Sequence, residues 1–378
     1  MSKKGKRKPA VKSTPAVKQR KKAAQTGGRF TIEPVFRQNY VAVVFQTSNL
    51  FCPYAAVTIQ SLIETATKQY NYDVIVTSLD INEENAMMIS KMADGIDNIS
   101  IRVFNISKYR AQHPLTGNRR FGSETWTRVF LADMMPNYSK VIDLDSDMIL
   151  RRDIGELYRT DVSQYYLAGV QDLFVFYSYY GSYINGKFKT HLGTLGLTDP
   201  RDYVNAGCLI FNLDKIRNDY PLESILEVIK EKNFEILEQD TFNYMFRGHI
   251  LHLDMSWNYL VDSINITGYA DKNAPEDFKV RHDKAAQNIK LIHYAAPDKP
   301  WDHPENPYAI EFWETARHTA YYSTLLQRMI GNQQKRLALR VTKLEPPAKR
   351  KALDKLLPKG SKRRETVKKL AAPFRKKK

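Results

Sequence analysis

The sequence predicts an α/β domain built on a mostly parallel central sheet with helices on both faces. Three observations carry that expectation. Short apolar runs alternate with amphipathic stretches of helical length, from residue 40 onward. The acidic run Asp143-Leu144-Asp145-Ser146-Asp147 directly follows one of these runs, at the kind of strand end where ligands gather in such sheets. With 378 residues, 43% of them hydrophobic, the chain is long enough to bury a large core.

Residues 1–28 mix Lys, Arg, Pro, Ala, Gln and Gly without apolar periodicity, so they read as a disordered basic arm. The domain proper, 29–318, opens with a strand over 40–45 and an amphipathic helix over 55–66. A strand over 73–78, a helix over 83–92 and a strand over 99–104 complete a β-α-β-α-β series. A helix over 124–134 then leads into the strand 140–144, and sheet-like runs return at 167–170, 208–213 and 289–292. Residues 316–330 read as a further helix.

The tail, 319–378, is expected to be helical and basic. Its apolar residues Leu337, Leu339, Val341, Leu344, Leu353, Leu356 and Leu357 lie among Lys and Arg, and Pro346, Pro347 and Pro358 break it into pieces. Short helices of this composition suit the surface of an anionic membrane.

Charge partitions unevenly. Of the formal net charge of +17, residues 1–28 carry +10 and residues 335–378 carry +15, which leaves −8 for residues 29–334. Basic ends bind phosphate backbones, but an acidic body argues against nucleic acid as the main partner. No apolar run reaches the roughly 18 to 20 residues that span a bilayer, and no apolar stretch follows the first basic residues as a secretory signal requires. The expectation is a cytoplasmic protein, peripheral to the cytoplasmic face of the membrane. Cys52 and Cys208 are too few for a disulfide framework and read as buried free thiols.

Asp145 and Asp147 are two residues apart just after an apolar strand, a spacing that suits a hard divalent cation taking oxygen ligands from protein and substrate phosphate together. An acidic turn is the other reading of the same pair. A calcium loop starting at Asp143 needs Gly and Glu where the chain has Met148 and Ile154, which excludes it. In the loop 293–301, His293 offers a metal-ligating imidazole and Lys299 a point charge for phosphate, followed by the rigid pair Pro300-Trp301. The Trp equally well plugs a core. Asn205-Ala206-Gly207 allows a ligand close approach to the backbone, and Glu238-Gln239-Asp240 offers groups for sugar hydroxyls or a developing cationic carbon.

Taken in chain order, Arg128, the Asp145/Asp147 pair, Asn205-Ala206-Gly207, Glu238-Gln239-Asp240 and the loop 293–301 resemble the retaining glycosyltransferases of family 8, over residues 40–318. The resemblance implies a GT-A fold, a UDP-hexose donor, and Mn²⁺, with Mg²⁺ as substitute, held by Asp145, Asp147 and His293. It implies donor contacts from Phe51, Arg128, Asp145, Asn205, Ala206 and Lys299, and catalytic roles for Gln239, Glu238 and Asp172. Glucose or galactose would pass to a glycan or lipid-linked acceptor in cell-surface polysaccharide or lipopolysaccharide synthesis. Two positions depart from the family pattern: Ala296 replaces the loop glycine, and Ser48 with Phe51 replaces an Asp and a stacking Tyr near the start. The aromatic run Phe174, Phe176, Tyr177, Tyr179, Tyr180 and Tyr183 fits either an acceptor platform or lid packing. Other functions compatible with the residues are a sugar-nucleotide-binding or nucleotidyltransferase relative, and a nucleic-acid binder acting through the basic ends.

Overall fold

The computed structural model describes residues 30–118, 122–181, 187–262, 274–343, 357–358 and 360–371. The arm 1–28, Tyr183, Leu344, Leu353 and Leu356 lie outside them. The chain divides into two units, residues 1–322 and 323–378.

Ten strands are described: β1 (Tyr40–Gln46), β2 (Asn71–Ser78), β3 (Ile99–Asn105), β4 (Lys140–Leu144), β5 (Met148–Leu150), β6 (Leu167–Gln171), β7 (Val204–Asn212), β8 (Ile250–His252), β9 (Tyr259–Leu260) and β10 (Leu291–His293). Seven form a central sheet in the order β3-β2-β1-β4-β7-β6-β8. β1, β2, β3 and β4 are mutually parallel, β6 pairs parallel with β8, and β7 alone runs against both of its neighbours. The mostly parallel sheet is therefore present, with one reversed strand inside it.

Both faces are covered. Ala42, Val44, Ile75, Val141 and Phe211 enter a core with Trp126, Phe130, Met134, Phe242 and Phe246. The intervening Val41, Val43, Phe45, Val74, Val76, Ile142 and Leu144 are equally buried, as strands of a doubly covered sheet require. The helix Cys52–Thr65 begins with Pro53 in its first turn, where a fixed φ costs no hydrogen bond. The helix Glu83–Ser90 is capped by Asn82, whose side chain accepts from the Asn85 amide, with Glu83 and Glu84 at its positive end.

Three expected elements differ. Residues 123–130 form a 3₁₀ helix, followed by a single α-turn Leu131–Met134, in place of one α-helix. Thr125, Trp126, Thr127 and Val129 are weak α-formers, and the burial of Trp126, Thr127 and Arg128 decides the backbone. Asn205-Ala206-Gly207 lies inside β7, not before it: β7 pairs with β6 at Val204 and again from Leu209 across a register shift, and the Asp145 amide bonds the Gly207 carbonyl on the β4 side. The helix expected over 316–330 is two helices, Ala309–Ala316 and Tyr322–Lys343. Between them the Thr319 hydroxyl bonds back to the Ala316 carbonyl.

A second sheet, β5-β10-β9, stands where the acidic run leaves β4. β5 follows Asp147 directly and pairs antiparallel with β10, His293 opposite Met148. On the other side of β5, Thr58 and Ser61 of the first helix bond the backbone of Met148 and Leu150, which satisfies groups an edge strand would leave open. The second unit contains the rest of the helix Tyr322–Lys343 and the helix Lys362–Ala371. Among the described residues no helix is long and apolar enough to cross a membrane.

Candidate functional site

Asp145-Ser146-Asp147 is the turn joining the two sheets, pinned to β1 by the Ser146 hydroxyl on the Gln46 carbonyl (3.0 Å). β10 brings in His293, 146 positions later than Asp147, and the backbone bond from Tyr294 to the Asp147 carbonyl (3.1 Å) locks the two segments together. His293 Nε2 then lies 3.3 Å from Asp147 Oδ1 and 3.6 Å from Asp145 Oδ2. One ligand atom from each of the three residues falls within 4.8 Å of the others.

The protonation of that imidazole follows from a chain of hydrogen bonds starting at a backbone N–H. Gly207 N can only donate, so the atom of Asn205 that it meets at 2.9 Å is the carbonyl oxygen. Asn258 must then donate to that oxygen (2.9 Å) and present its own oxygen to His293 Nδ1 (2.9 Å). Nδ1 carries the hydrogen, and Nε2 turns a lone pair toward two carboxylates. That lone pair and the two carboxylate oxygens converge as ligand atoms for a cation. Two carboxylates and an imidazole suit a divalent cation, so the residues present fit the ion that the sequence motif implies.

Arg128 stands behind the acids. Its Nε bonds Asp143 (2.5 Å), its Nη1 bonds Glu238 (3.0 Å), and its Nη2 pairs with Asp145. Burial works against the guanidinium charge, but Asp143, Asp145 and Glu238 outweigh it and hold Arg128 protonated well above its usual range. Burial raises the Asp143 and Glu238 carboxyls, with Arg128 opposing in both. Each of the three nitrogens of Arg128 meets one carboxylate, so the guanidinium organises the acids behind the turn. Burial also disfavours the Asp147 carboxylate, but the Lys299 ammonium (2.6 Å) and His293 prevail and hold its carboxyl well below the usual range.

Glu238, Gln239 and Asp240 lie in the first turn of the helix Leu237–Met245, which packs beside β7. Gln239 Oε1 accepts from Ala206 N (2.7 Å), and its Nε2 reaches Asp172 Oδ2 (3.2 Å) and the Tyr203 hydroxyl (3.1 Å). Asp172 caps the helix Leu173–Tyr180 with one oxygen and accepts from Asn205 (2.9 Å) and Gln239 with the other. The catalytic and donor candidates of β6, β7 and this helix thus meet in one buried network that ends on His293.

Other candidates separate from it. Trp301 is a core plug, stacked on Tyr54 at 4.0 Å between ring centroids. Ala296 is buried in the same loop. Phe51 is the N-cap of the first helix, 43% exposed, with its ring 5.4 Å between centroids from Tyr54. Phe176 is fully buried and stacked on Phe278 at 3.7 Å, and Tyr177 is buried beside it, so that part of the aromatic run is packing; Tyr179 and Tyr180 are half-exposed. Cys52 and Cys208 are both buried, and neither is in a disulfide.

The description glycosyl transferase family 8 matches residues 42–304, which takes in both sheets and every ligand candidate. The chain belongs to this family. A Haemophilus influenzae protein named as a glycosyltransferase is 25% identical over 268 residues, covering 68% of this chain and 72% of that protein. The glycosyltransferase GlyF of Streptococcus pneumoniae is 25% identical over 303 residues, covering 74% and 65%. Among solved structures, the bifunctional glycosyltransferase WbbM matches at 23% identity with a TM-score of 0.70, covering 79% of this chain and 53% of that one. The galactosyltransferase LgtC, solved with donor and acceptor sugar analogues, matches at 24% with a TM-score of 0.59, covering 74% and 96%. The fold is GT-A.

In this family 8 chain, sequence reasoning missed Asn258, Tyr203 and Gln46. Asn258 sits in a Trp-Asn-Tyr stretch with no spacing to mark it, and its role depends on Asn205, 53 positions away. Gln46 donates to Asp143 (2.5 Å) from the end of β1, a position that β-strand registry alone makes meaningful.

Proposed function

We propose that this chain transfers a hexose, glucose or galactose, from UDP to a glycan or lipid-linked acceptor with retention of anomeric configuration. One observation carries the reading: Gln239, Asp172 and Asn205 share a single buried hydrogen-bonded network with the Asp145, Asp147 and His293 cluster. Asp145, Asp147 and His293 hold Mn²⁺, with Mg²⁺ as a weaker substitute because an imidazole is a poorer ligand for it. When bound, the ion neutralises charge on the diphosphate as UDP departs.

The protein's own groups do the rest. Lys299 turns from Asp147 to the diphosphate, and Phe51 stacks on the uracil. The bond from the sugar C1 to the phosphate oxygen breaks with its electron pair leaving on UDP. The acceptor hydroxyl forms the new bond to C1 on the same face, and its proton passes to the departing phosphate oxygen. The Gln239 carbonyl, fixed by Ala206 N–H, faces the cationic carbon between these events, with Asp172 and Glu238 supplying negative potential around it. An amide is too weak a nucleophile for a covalent intermediate.

Release of UDP from UDP-glucose, UDP-galactose or UDP-GlcNAc in Mn²⁺, compared between the protein and Asp147→Ala, tests the reading. Equal turnover by the variant contradicts the metal assignment, and formation of UTP and hexose 1-phosphate on addition of pyrophosphate, with no UDP released, supports a nucleotidyltransferase. We further propose that the basic ends, +10 over residues 1–28 and +15 over 335–378, dock the enzyme on anionic lipid near its acceptor, in polysaccharide or lipopolysaccharide synthesis. Each cation near such a surface contributes on the order of 1 kcal/mol. Binding to phosphatidylglycerol vesicles that survives high salt, or loss of residues 335–378, removes that idea.

A further inference from the structure

We infer that Tyr203, Asp240 and His191 form a positioning relay that fixes which face of the Gln239 amide meets the reacting carbon. The inference rests on the catalytic reading of Gln239 and names residues behind it that touch neither donor nor acceptor.

The relay has one consistent set of proton positions. Ala206 N–H forces the Gln239 oxygen toward β7, so Nε2 must face Asp172 and Tyr203. Tyr203 therefore accepts from Gln239 and has a single proton to give, which goes to Asp240 Oδ1 at 2.6 Å. His191 Nε2 meets the same oxygen at 3.0 Å, and Ile236 N satisfies Oδ2 at 2.8 Å. Both oxygens of Asp240 are committed and the residue is fully buried, so it is out of reach of a sugar. The Tyr203 hydroxyl is held far above its usual range by burial and then by Asp240, which keeps its proton in place as the donor the relay needs.

The geometry explains why three elements are involved. β7 supplies Ala206 and, just ahead of it, Tyr203; the helix Leu237–Met245 supplies Gln239 and Asp240; the helix Lys187–Thr194 supplies His191. A glutamine held only by Asp172 and Ala206 could pivot about that pair. The Tyr203 hydroxyl removes the freedom, and Asp240, braced by His191, prevents the tyrosine from rotating away. A misplacement of about 1 Å at such a centre costs on the order of 100-fold in rate.

A double-mutant cycle on UDP release tests this, using whichever of UDP-glucose, UDP-galactose and UDP-GlcNAc the unmodified protein hydrolyses fastest in Mn²⁺. Tyr203→Phe is expected to lower kcat ~10-fold or more, with the donor KM within ~2-fold. In a Gln239→Ala background the same substitution should change kcat by less than ~2-fold, because its effect passes through the missing amide. Equal losses in both backgrounds, or a raised KM with kcat unchanged, overturn the relay while leaving Gln239 catalytic. Unchanged turnover by Gln239→Ala, or no UDP release from any of the three donors, overturns the catalytic reading and the relay with it. Should Tyr203→Phe fail to fold, the pair His191→Leu and His191→Gln decides. Leu removes the N–H facing Asp240 and should lower kcat, Gln restores a donor and should recover it, and equal kcat for the two overturns the relay.

Discussion

A Cβ placed on Gly207 would lie 2.3 Å from Cε1 of His293 and 2.9 Å from Asp145 Oδ2. The glycine is needed for space and not for backbone freedom, since β7 is extended there. Gly207→Ala must push either the imidazole or the carboxylate out of the cluster. Isothermal titration with Mn²⁺ should show affinity at least ~10-fold weaker, with the far-UV spectrum unchanged. Unaltered affinity would mean that the cation does not sit between these residues.

Asn258 sets the tautomer of His293 from the Nδ1 side, while Nε2 faces the two carboxylates. Replacing it by alanine leaves the three ligands in place but frees the ring to rotate or to carry its hydrogen on Nε2. Metal affinity should fall on the order of 10- to 100-fold, as for other groups that orient a histidine ligand. The same titration on Asn258→Ala checks this, and a value matching the unmodified protein rules the orienting role out.

Arg128 is buried with three carboxylates, and Asp143 beside it is fully buried. Arg128→Met removes the cation and leaves that charge uncompensated except by Gln46. Urea unfolding should show a loss of about 3–5 kcal/mol, the usual cost of orphaning a buried ionic partner. A loss under about 1 kcal/mol would show that the carboxylates find other compensation.

His191 gives a pH dependence with a definite sign. Burial lowers its pKa, but the bond to Asp240 and the charge of that residue outweigh burial, so the folded value is raised above 6.5. A raised folded pKa contributes stability that is full below the unfolded value near 6.5 and disappears as pH climbs through the folded value. The gap in melting temperature between the protein and His191→Leu should therefore be widest below pH 6.5 and shrink above it. A gap that is constant from pH 5.5 to 9 would assign the effect to packing.

How much of this was legible in advance depends on the range of the interaction. The strand and helix order from 40 to 144, the acidic pair and His293 could be read because apolar periodicity and ligand chemistry are local properties of a sequence. The 3₁₀ geometry over Ser123–Phe130 could not, because burial of Trp126 and Arg128 overrides the preference of the segment. Trp301 is ambiguous in a linear sequence, and only Tyr54 beneath it makes it a plug.

The sequence by itself determined the family, the doubly covered sheet and the residue types around the acidic turn, since each follows from composition and order. The tertiary structure decided how those residues are polarised. Ala206 and Gly207 donate backbone hydrogens to Gln239 and Asn205, and each bond fixes the next until the hydrogen on His293 Nδ1 and the proton of Tyr203 have only one place to be. Direction in such a chain comes from a backbone N–H that can only donate, and the tertiary packing of the helix Leu237–Met245 beside β7 brings the Gln239 oxygen, 33 positions away, to the Ala206 amide.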